Sequence, residues 1–294
     1  MADLPRVAKL AAKFGDPRAY GRHARAIAKP GLALVRKLEP LDQRGLLFIL
    51  GCQRSGTSLM VQIFARDWNT RVFGERFNRL TSDDREWGIR LNDLPKVRST
   101  LEVIRSPFLV AKPLVESQQA RRLLRYFPNA RVVWLYRDYR DVAASNLQRW
   151  GMENGVATLR PLISGETGNW RSEHVDPRSR SLITEHFRED MSPYDAAALF
   201  WFMRNRQFMR NRLYLNDMAN RVMLLPYERL AREPLEVMSS LYAMMDMPFP
   251  GAHVIRDVHV KSLGKGNKIP LSPAVEQHCQ QLLERLDTMA NHKR

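Results

Sequence analysis

The sequence predicts an α/β fold in which helices cover both faces of a parallel central sheet. Four short apolar runs have the residue types of buried strands, at 46–50, 108–111, 131–136 and 221–225. Helical patterns separate or follow these runs, and strands that alternate with helices are typical of parallel sheets buried on both sides. The helices are expected at 57–67, 117–126, 139–150, 194–219, 228–245 and 272–289.

Composition bounds the class of protein. Of the 294 residues 44% are apolar, which is typical of a globular chain. The longest wholly apolar run, 196–203, is too short to span a membrane. The start of the chain lacks a secretory signal pattern, and two cysteines, Cys52 and Cys279, are too few for a disulfide framework. We therefore expect a cytoplasmic protein.

The chain is strongly basic. The 47 Lys and Arg residues against 31 Asp and Glu residues give a net charge of +16, which predicts affinity for polyanions, anionic lipid headgroups or phosphorylated cofactors. Residues 1–44 carry ten basic and four acidic residues, and helical spacing in 5–38 is interrupted by Gly and Pro. We interpret 1–44 as a basic helical N-terminal extension, either solvated or in peripheral contact with an anionic membrane. Residues 45–294 are interpreted as one domain.

A turn after the first predicted strand has the features of an anion-binding loop. Gly51 and Gly56 have the spacing of a nucleotide-binding P-loop, but Thr57 replaces the Lys that ordinarily follows the second Gly. Backbone N–H groups at the start of a helix favour a phosphate, and an Arg adds a planar charge. The alternative is a tight strand-to-helix turn with an N-capping hydroxyl. The cofactor-binding candidates in this turn are Arg54, Ser55, Gly56, Thr57 and Ser58.

A second cluster of polar residues follows the third predicted strand. Arg137 comes at the carboxyl end of that strand, where open α/β sheets bind ligands. Ser145 and Arg149 lie one turn apart on the helix predicted at 139–150. Two guanidinium groups and a hydroxyl suit a second phosphate. The alternative is a surface helix start that Asp138 or Asp141 caps.

Together the two clusters resemble the nucleotide signatures of the PAPS-dependent sulfotransferases. Residues 54–58, Arg-Ser-Gly-Thr-Ser, resemble the loop that binds the 5′-phosphosulfate of 3′-phosphoadenylyl sulfate (PAPS), and Arg137 with Ser145 resembles the pair that binds the 3′-phosphate. The resemblance covers roughly 45–150 and 221–289 and is strongest to the Arg-type tyrosylprotein, carbohydrate and bacterial enzymes. It implies a three-layer P-loop NTPase-like fold and PAPS as sulfuryl donor, without a metal.

The resemblance also implies catalytic residues. Glu75 ends a Val-Phe-Gly-Glu sequence like that of the tyrosylprotein type, where the Glu is the base that takes the proton of the acceptor. Lys112 follows a predicted strand as in the family, where it lies near the sulfuryl group. Lys112 and Arg54 would then neutralise the transferred group. The alternatives are a Glu75 exposed and paired with Arg71 or Arg76, and a Lys that leads into a turn.

Two later residues resemble further nucleotide contacts of the family. Tyr227 follows the last predicted strand, where an aromatic residue can neighbour the adenine, but a buried core tyrosine fits the pattern equally well. Lys265 lies in a Gly- and Lys-rich loop, 261–268, similar to the loop that covers the cofactor. A solvated basic turn is the alternative there.

The acceptor site is the least readable part of the sequence. Residues 151–193 have little periodicity and are interpreted as an acceptor-binding insert, either a functional lid or a disordered surface loop. On the helix predicted at 194–219, Trp201 and Phe202 fit core packing, whereas Arg204 and Arg206 could contact an acidic acceptor.

The function predicted from these patterns is transfer of a sulfuryl group from PAPS to a hydroxyl or amine. A glycan, a glycolipid or another small or lipid-linked molecule is the expected acceptor. A divergent P-loop kinase is one alternative, weakened by the missing Lys after Gly56. A non-catalytic, basic polyanion-binding protein is another, but it leaves the paired phosphate signatures unexplained. No nucleic-acid motif occurs, the histidines lack metal-ligand spacing, and the oligomeric state is open.

Overall fold

The computed structural model describes residues 38–76, 78–84 and 88–291 and has a five-stranded parallel sheet at its centre. A separate antiparallel ribbon of two strands accompanies the sheet. The predicted basic extension falls largely on residues 1–37, which lie outside the described residues. The strands are β1 (Gly45–Gly51), β2 (Thr70–Phe73), β3 (Thr81–Asp84), β4 (Gly88–Leu91), β5 (Phe108–Ala111), β6 (Ala130–Tyr136) and β7 (Val222–Pro226).

Helices connect and cover these strands. Short 3₁₀ helices occupy Leu41–Gln43, Leu114–Gln119 and Ala252–Ile255. The α-helices are α1 (Thr57–Arg66), α2 (Leu94–Glu102), α3 (Ala120–Tyr126), α4 (Tyr139–Trp150), α5 (Asn154–Ser164), α6 (Pro177–His186), α7 (Pro193–Arg210), α8 (Asn216–Ala219), α9 (Tyr227–Arg232), α10 (Pro234–Met244) and α11 (Pro273–Asn291).

The strand order places the two predicted anion-binding segments side by side. The order is β2-β5-β1-β6-β7, with every neighbouring pair parallel. The chain proceeds from β1 towards the β2 edge and later returns to the opposite side of β1 with β6. Ligands of open α/β sheets bind beyond the carboxyl ends of the strands at such a reversal. Both the turn after β1 and the residues after β6 lie there.

The central strands separate two hydrophobic cores, which makes three layers. Along β1, Leu46, Phe48 and Leu50 belong to one core, whereas Leu47 and Ile49 belong to the other. This alternation follows from the two-residue period of a strand, and both faces are apolar because helices cover both. Helices α7 and α11 contribute to the first core, and α1 and α10 to the second. The predicted α/β class and parallel sheet are confirmed.

Residues 151–193 are more regular than expected. The sequence predicted an irregular stretch, but α5 and α6 lie within it. Val156, Leu159, Leu162 and Ile183 from these two helices join the first core. The prediction of an irregular or disordered stretch was therefore wrong, whereas its assignment to the acceptor stays a prediction.

Other boundaries differ by smaller amounts. The helix predicted at 117–126 starts as a 3₁₀ helix and becomes α-helical at Ala120. The segment 194–219 was predicted as one helix but contains two: α7 ends at Arg210, and α8 begins at Asn216. Within the described part of the chain, both cysteines are free and buried, and the helices are too short or too polar to cross a bilayer.

Candidate active site

Two glycines and an arginine with positive φ angles shape the turn between β1 and α1. Gly51 and Gly56 have φ angles of 124° and 85°, and Arg54 has a φ of 66°, which non-glycine residues rarely adopt. A Cβ atom at Gly56 would lie 2.3 Å from the Tyr227 ring. Gly56 is therefore required both by its backbone conformation and by the tyrosine packed against it.

Several hydrogen-bond donors at the amino end of α1 lack partners among the described residues. The helix begins after Gly56 without a side-chain cap, so its first N–H groups have no partner within the helix. The Ser55 side chain is wholly buried, and its hydroxyl has no hydrogen-bond partner among the described residues. A phosphate-type oxygen would satisfy both kinds of donor, so the residues present fit a phosphorylated ligand.

On one side of this turn, Lys112 joins α1 to the segment after β2. Its Nζ atom lies 3.2 Å from Glu75 Oε2 and 3.3 Å from Ser58 Oγ. Lys112 is buried, whereas the Glu75 side chain is 28% exposed and so can reach a molecule from solvent. Glu75 forms its ion pair with Lys112, and among the described residues it has none with Arg71 or Arg76, the partners that the sequence offered. This arrangement holds a carboxylate and an ammonium beside the anion-binding turn.

On the other side of the turn, three arginines converge. Arg54 Nε donates a 3.0 Å hydrogen bond to Ser145 Oγ, which links the turn directly to α4. Its guanidinium also lies over the Trp150 ring, 5.7 Å from the centroid. Partial burial, followed by the charges of Arg149 and Arg137, lowers the pKa of Arg54. Such a concentration of like charge favours an anion between the groups.

Arg137 is the buried member of this group. Its Nη2 donates to Asp141 Oδ2 at 2.7 Å and also to the carbonyl of Ser262, while its Nε has no partner within the described part of the chain. The guanidinium lies 4.7 Å from the centroid of the Tyr227 ring. Tyr227 is itself buried and pairs its hydroxyl with Ser262 Oγ at 2.6 Å. Tyr227 thus fills the space between Gly56, Arg137 and the loop 261–268, called the late loop below.

Asp141 fastens the late loop, 261–268, to the start of α4. Its two carboxylate oxygens accept the N–H groups of Gly264 at 3.0 Å and Gly266 at 2.7 Å. A Cβ atom at Gly266 would lie 2.1 Å from the Arg140 carbonyl carbon, so only glycine permits this close contact. Lys265 lies between these two glycines and is exposed. The loop therefore lies beside Arg137 with the Lys265 side chain on its surface.

Arg204 lies in the core beneath the turn, and the prediction that it contacts an acceptor was wrong. The side chain is wholly buried, and it donates to Gly51 O at 3.2 Å, Leu114 O at 2.6 Å and Gln118 Oε1 at 2.7 Å. Burial lowers its pKa to about 10. It thus joins the end of β1 to the segment that follows Lys112. Arg206, two residues later, is partly exposed and pairs with Asp176.

Most of the sequence candidates are brought together, and they form two groups. Ser58, Glu75 and Lys112 lie on one side of the turn, and Arg54 lies with Ser145 on the other. The side chain of Arg54 contacts Ser145 rather than Lys112, although the sequence analysis grouped Arg54 with Lys112. The catalytic and binding roles assigned to all these residues stay predictions.

Sequence reasoning missed the residues that hold the candidates in place. Asp138, not Asp141, caps α4 by accepting from the N–H groups of Arg140 and Asp141. Asp141 was considered only as a cap, and its long-range contacts with Gly264 and Gly266 leave no local sequence signal. Arg204 could have been suspected, since an arginine within the apolar stretch of α7 is expected to be buried with partners.

Comparisons with known proteins agree with this architecture. A model of the sulfotransferase family matches residues 68–251. The sulfotransferase domain from the curacin biosynthetic pathway is 18% identical, with a TM-score of 0.51 over 85% of this chain and 99% of that domain. A sulfotransferase from Alicyclobacillus acidocaldarius is 16% identical, with a TM-score of 0.49 over 84% of this chain and 96% of that chain. A mouse sulfotransferase complexed with PAP is 10% identical, with a TM-score of 0.41 over 87% and 89%. No curated protein matches significantly.

The family match and the predicted turn occupy neighbouring parts of the chain. The match begins at residue 68, after the predicted anion-binding turn, and includes Glu75, Lys112, Arg137 and Ser145. The likeness to the curacin domain supports the fold. At 18% identity it does not bear on the ligand.

Proposed function

The chain belongs to the sulfotransferase family, and we propose that it transfers a sulfuryl group from PAPS to a hydroxyl or amine of an acceptor. The donor supplies the sulfuryl group and leaves as adenosine 3′,5′-bisphosphate. The residues of the chain bind the two phosphate positions, neutralise charge and accept one proton. Side-chain cations perform the neutralisation in this proposal, and no group of His, Cys, Asp or Glu suited to a metal occurs among the described residues.

The observation that carries the proposal is the presence of cations on both sides of one anion-binding turn. Lys112 lies against Ser58 on one side, and Arg54 lies against Ser145 on the other. A ligand with one phosphate would contact only one of these two groups of cations. A nucleotide phosphorylated at two positions would use both, which supports PAPS as the donor.

The reaction needs one base and charge stabilisation. The acceptor oxygen or nitrogen forms a bond to sulfur as the bond from sulfur to the 5′-phosphate oxygen breaks, and the acceptor proton passes to a carboxylate of Glu75. Glu75 is suited to this role because it is partly exposed beside the anion-binding turn. Lys112 is suited to stabilise charge on the transferred group, since its buried ammonium lies 3.3 Å from Ser58 Oγ at the start of α1.

The remaining candidates are assigned to the nucleotide. Arg137, Ser145 and Arg149 are assigned to the 3′-phosphate, Tyr227 to the neighbourhood of the adenine, and Lys265 to the loop that covers the nucleotide. The burial of Arg137, with its Nε unpartnered, supports its role, because a buried donor favours a ligand that satisfies it. Residues 151–193 are assigned to the acceptor, which we propose to be a glycan, a glycolipid or another small or lipid-linked molecule.

A labelling experiment tests this function and the acceptor class together. The full chain is incubated with sulfur-labelled PAPS and a host extract separated into lipid, glycan and peptide fractions. Label that enters one fraction with the wild type, but not with Glu75→Gln, supports both the reaction and the base. Absence of label from every fraction, with PAPS intact, would contradict the reaction.

A further inference from the structure

A cavity lies on the side of α7 that is turned away from the sheet. Its volume is 440 Å³, within the range of small-molecule sites. Trp201 and Arg204 of α7 point inward, since Trp201 Nε1 donates to Arg137 O at 2.8 Å and Arg204 donates to Gly51 O. Phe202, Arg206 and Arg210 recur every four residues and line the cavity from the opposite face. The cavity is therefore separate from the candidate active site.

The cavity carries an excess of positive charge. Four arginines line it, Arg178, Arg206, Arg210 and Arg285, and Asp176 is the one carboxylate, which leaves a charge of +3. Asp176 is already engaged, because it caps α6 through Ser179 and lies 3.4 Å from Arg206. Within the described residues, no carboxylate pairs with the other three arginines. Several guanidinium groups around one cavity attract an anion and suit a phosphate or sulfate group in particular.

The floor of the same cavity is apolar. Leu182, Phe202, Met209 and Leu282 line it; Phe202 and Leu282 are almost fully buried, whereas Leu182 and Met209 are partly exposed. The His278 ring packs beside Phe202, with centroids 6.2 Å apart. A bare inorganic anion would leave this floor in contact with water. A ligand with an apolar body would cover the floor and gain free energy from its burial.

We propose that this cavity binds the phosphate or sulfate monoester of an apolar alcohol. The charged head lies among the arginines at the rim, and the apolar body lies on Leu182 and Met209. The ligand is either a soluble ester or the headgroup of a lipid, because both present the same chemistry. Arg178 and Leu182 belong to the segment 151–193 that is assigned to the acceptor, but none of the residues assigned to catalysis or to the nucleotide lines the cavity. Binding here therefore does not depend on the sulfotransferase proposal.

The test is a calorimetric titration of the full chain with octyl phosphate, inorganic phosphate and octanol. The double variant Arg210→Gln/Arg285→Gln removes two exposed rim charges, and Arg125→Gln removes an exposed charge from α3 as the matched control. We expect octyl phosphate to bind at least about tenfold more tightly than inorganic phosphate. We also expect the double variant to lose at least about tenfold in affinity for octyl phosphate, whereas Arg125→Gln binds as the wild type does.

Two further arms locate the site and the source of the ester. Arg137→Met must bind octyl phosphate as the wild type does, because Arg137 does not line this cavity. Binding to phosphatidylcholine vesicles that contain phosphatidate, if lost in the double variant, supports a lipid headgroup, and octyl phosphate binding without vesicle binding supports a soluble ester. The proposal is overturned if octyl phosphate does not bind, if the double variant binds it normally, or if affinity is lost in Arg137→Met instead.

Discussion

Glu75 and Lys112 form the part of the site where the chemistry is proposed to occur. The pair is held at 3.2 Å, with Lys112 buried and Glu75 accessible. The Glu75→Gln variant keeps the shape of the side chain but cannot accept a proton. We expect sulfuryl transfer to fall by about 10²- to 10⁴-fold, the usual contribution of a general base, while nucleotide affinity changes little. Initial rates with labelled PAPS, together with calorimetry of the product nucleotide, measure both.

The matched control for this variant is Glu102→Gln, an exposed carboxylate at the end of α2. It makes the same chemical change away from the site and should leave transfer unaltered. If both variants were equally active, Glu75 would not be the base. If Glu75→Gln lost nucleotide binding in proportion to its rate, the residue would be a ligand contact instead.

Arg204 has a structural role that its sequence context only partly suggests. Replacing it by Met leaves the buried carbonyls of Gly51 and Leu114 and the Gln118 amide without their donor. We expect the free energy of unfolding to decrease by about 2–3 kcal/mol, because each unsatisfied buried acceptor is costly. Urea unfolding measures this change. Arg206→Met on the exposed face of the same helix is the control and should lower stability by less than about 1 kcal/mol.

An equal loss of stability in the two variants would contradict this account. It would mean that helix α7 depends on its surface ion pair as much as on the buried hydrogen bonds. Arg204→Lys separates charge from geometry. Lysine keeps the charge but cannot donate in three directions from one planar group, so an intermediate stability is expected.

At the scale of elements, Asp141 couples helix α4 to the late loop. Asp141→Asn removes the carboxylate that accepts from both Gly264 and Gly266 and that pairs with Arg137. We expect the amides of this loop to exchange hydrogen at least about tenfold faster, since their charge-assisted acceptor is lost. Hydrogen exchange read by mass spectrometry on peptides covering 258–268 measures the change.

Glu276→Gln is a suitable control, because it removes an ion pair with Arg140 at the same helix start without contacting the loop glycines. Its exchange over 258–268 should match that of the wild type. Unchanged exchange in Asp141→Asn would show that the loop is held by other contacts, such as the Tyr227 and Ser262 pair.

The elements that the sequence predicted best are those with apolar residues on both faces. The strands at 45–51 and 130–136 and the turn between Gly51 and Gly56 have signals confined to a few neighbouring residues. β2 was missed because it has only four residues, two of them polar or charged. Helices α5 and α6 were missed because Gly, Pro and charged residues obscure their spacing, and their stability comes from packing on α7 rather than from local propensity.

As with the strands and helices, the site residues that could be predicted are those that belong to short local motifs. Arg54 and Ser145 could be found because each belongs to a short motif. Their direct contact could not, because Arg54 and Ser145 are 91 residues apart in sequence and meet only because β1 and β6 lie side by side. Likewise, the interactions of Asp141 and Arg204 extend over 86 to 153 residues, and no local pattern reports them.

At the scale of the whole molecule, the strand order and the basic side chains come together at the carboxyl ends of β1 and β6. The strand order places the ends of β1 and β6 together, and Lys112, Arg54 and Arg137 lie around that point. The net charge of the whole chain is +16. General attraction of polyanions would follow from net charge alone. Discrimination between one phosphate and two would not, because it requires two separate groups of donors at fixed positions.

The most direct measurement is therefore a calorimetric comparison of adenosine 3′,5′-bisphosphate with adenosine 5′-monophosphate. We predict that the bisphosphate binds the wild type at least about tenfold more tightly, and that this preference disappears in Arg137→Met. Equal affinities in the wild type, or no binding of the bisphosphate at all, would contradict the existence of two phosphate sites around the turn after β1.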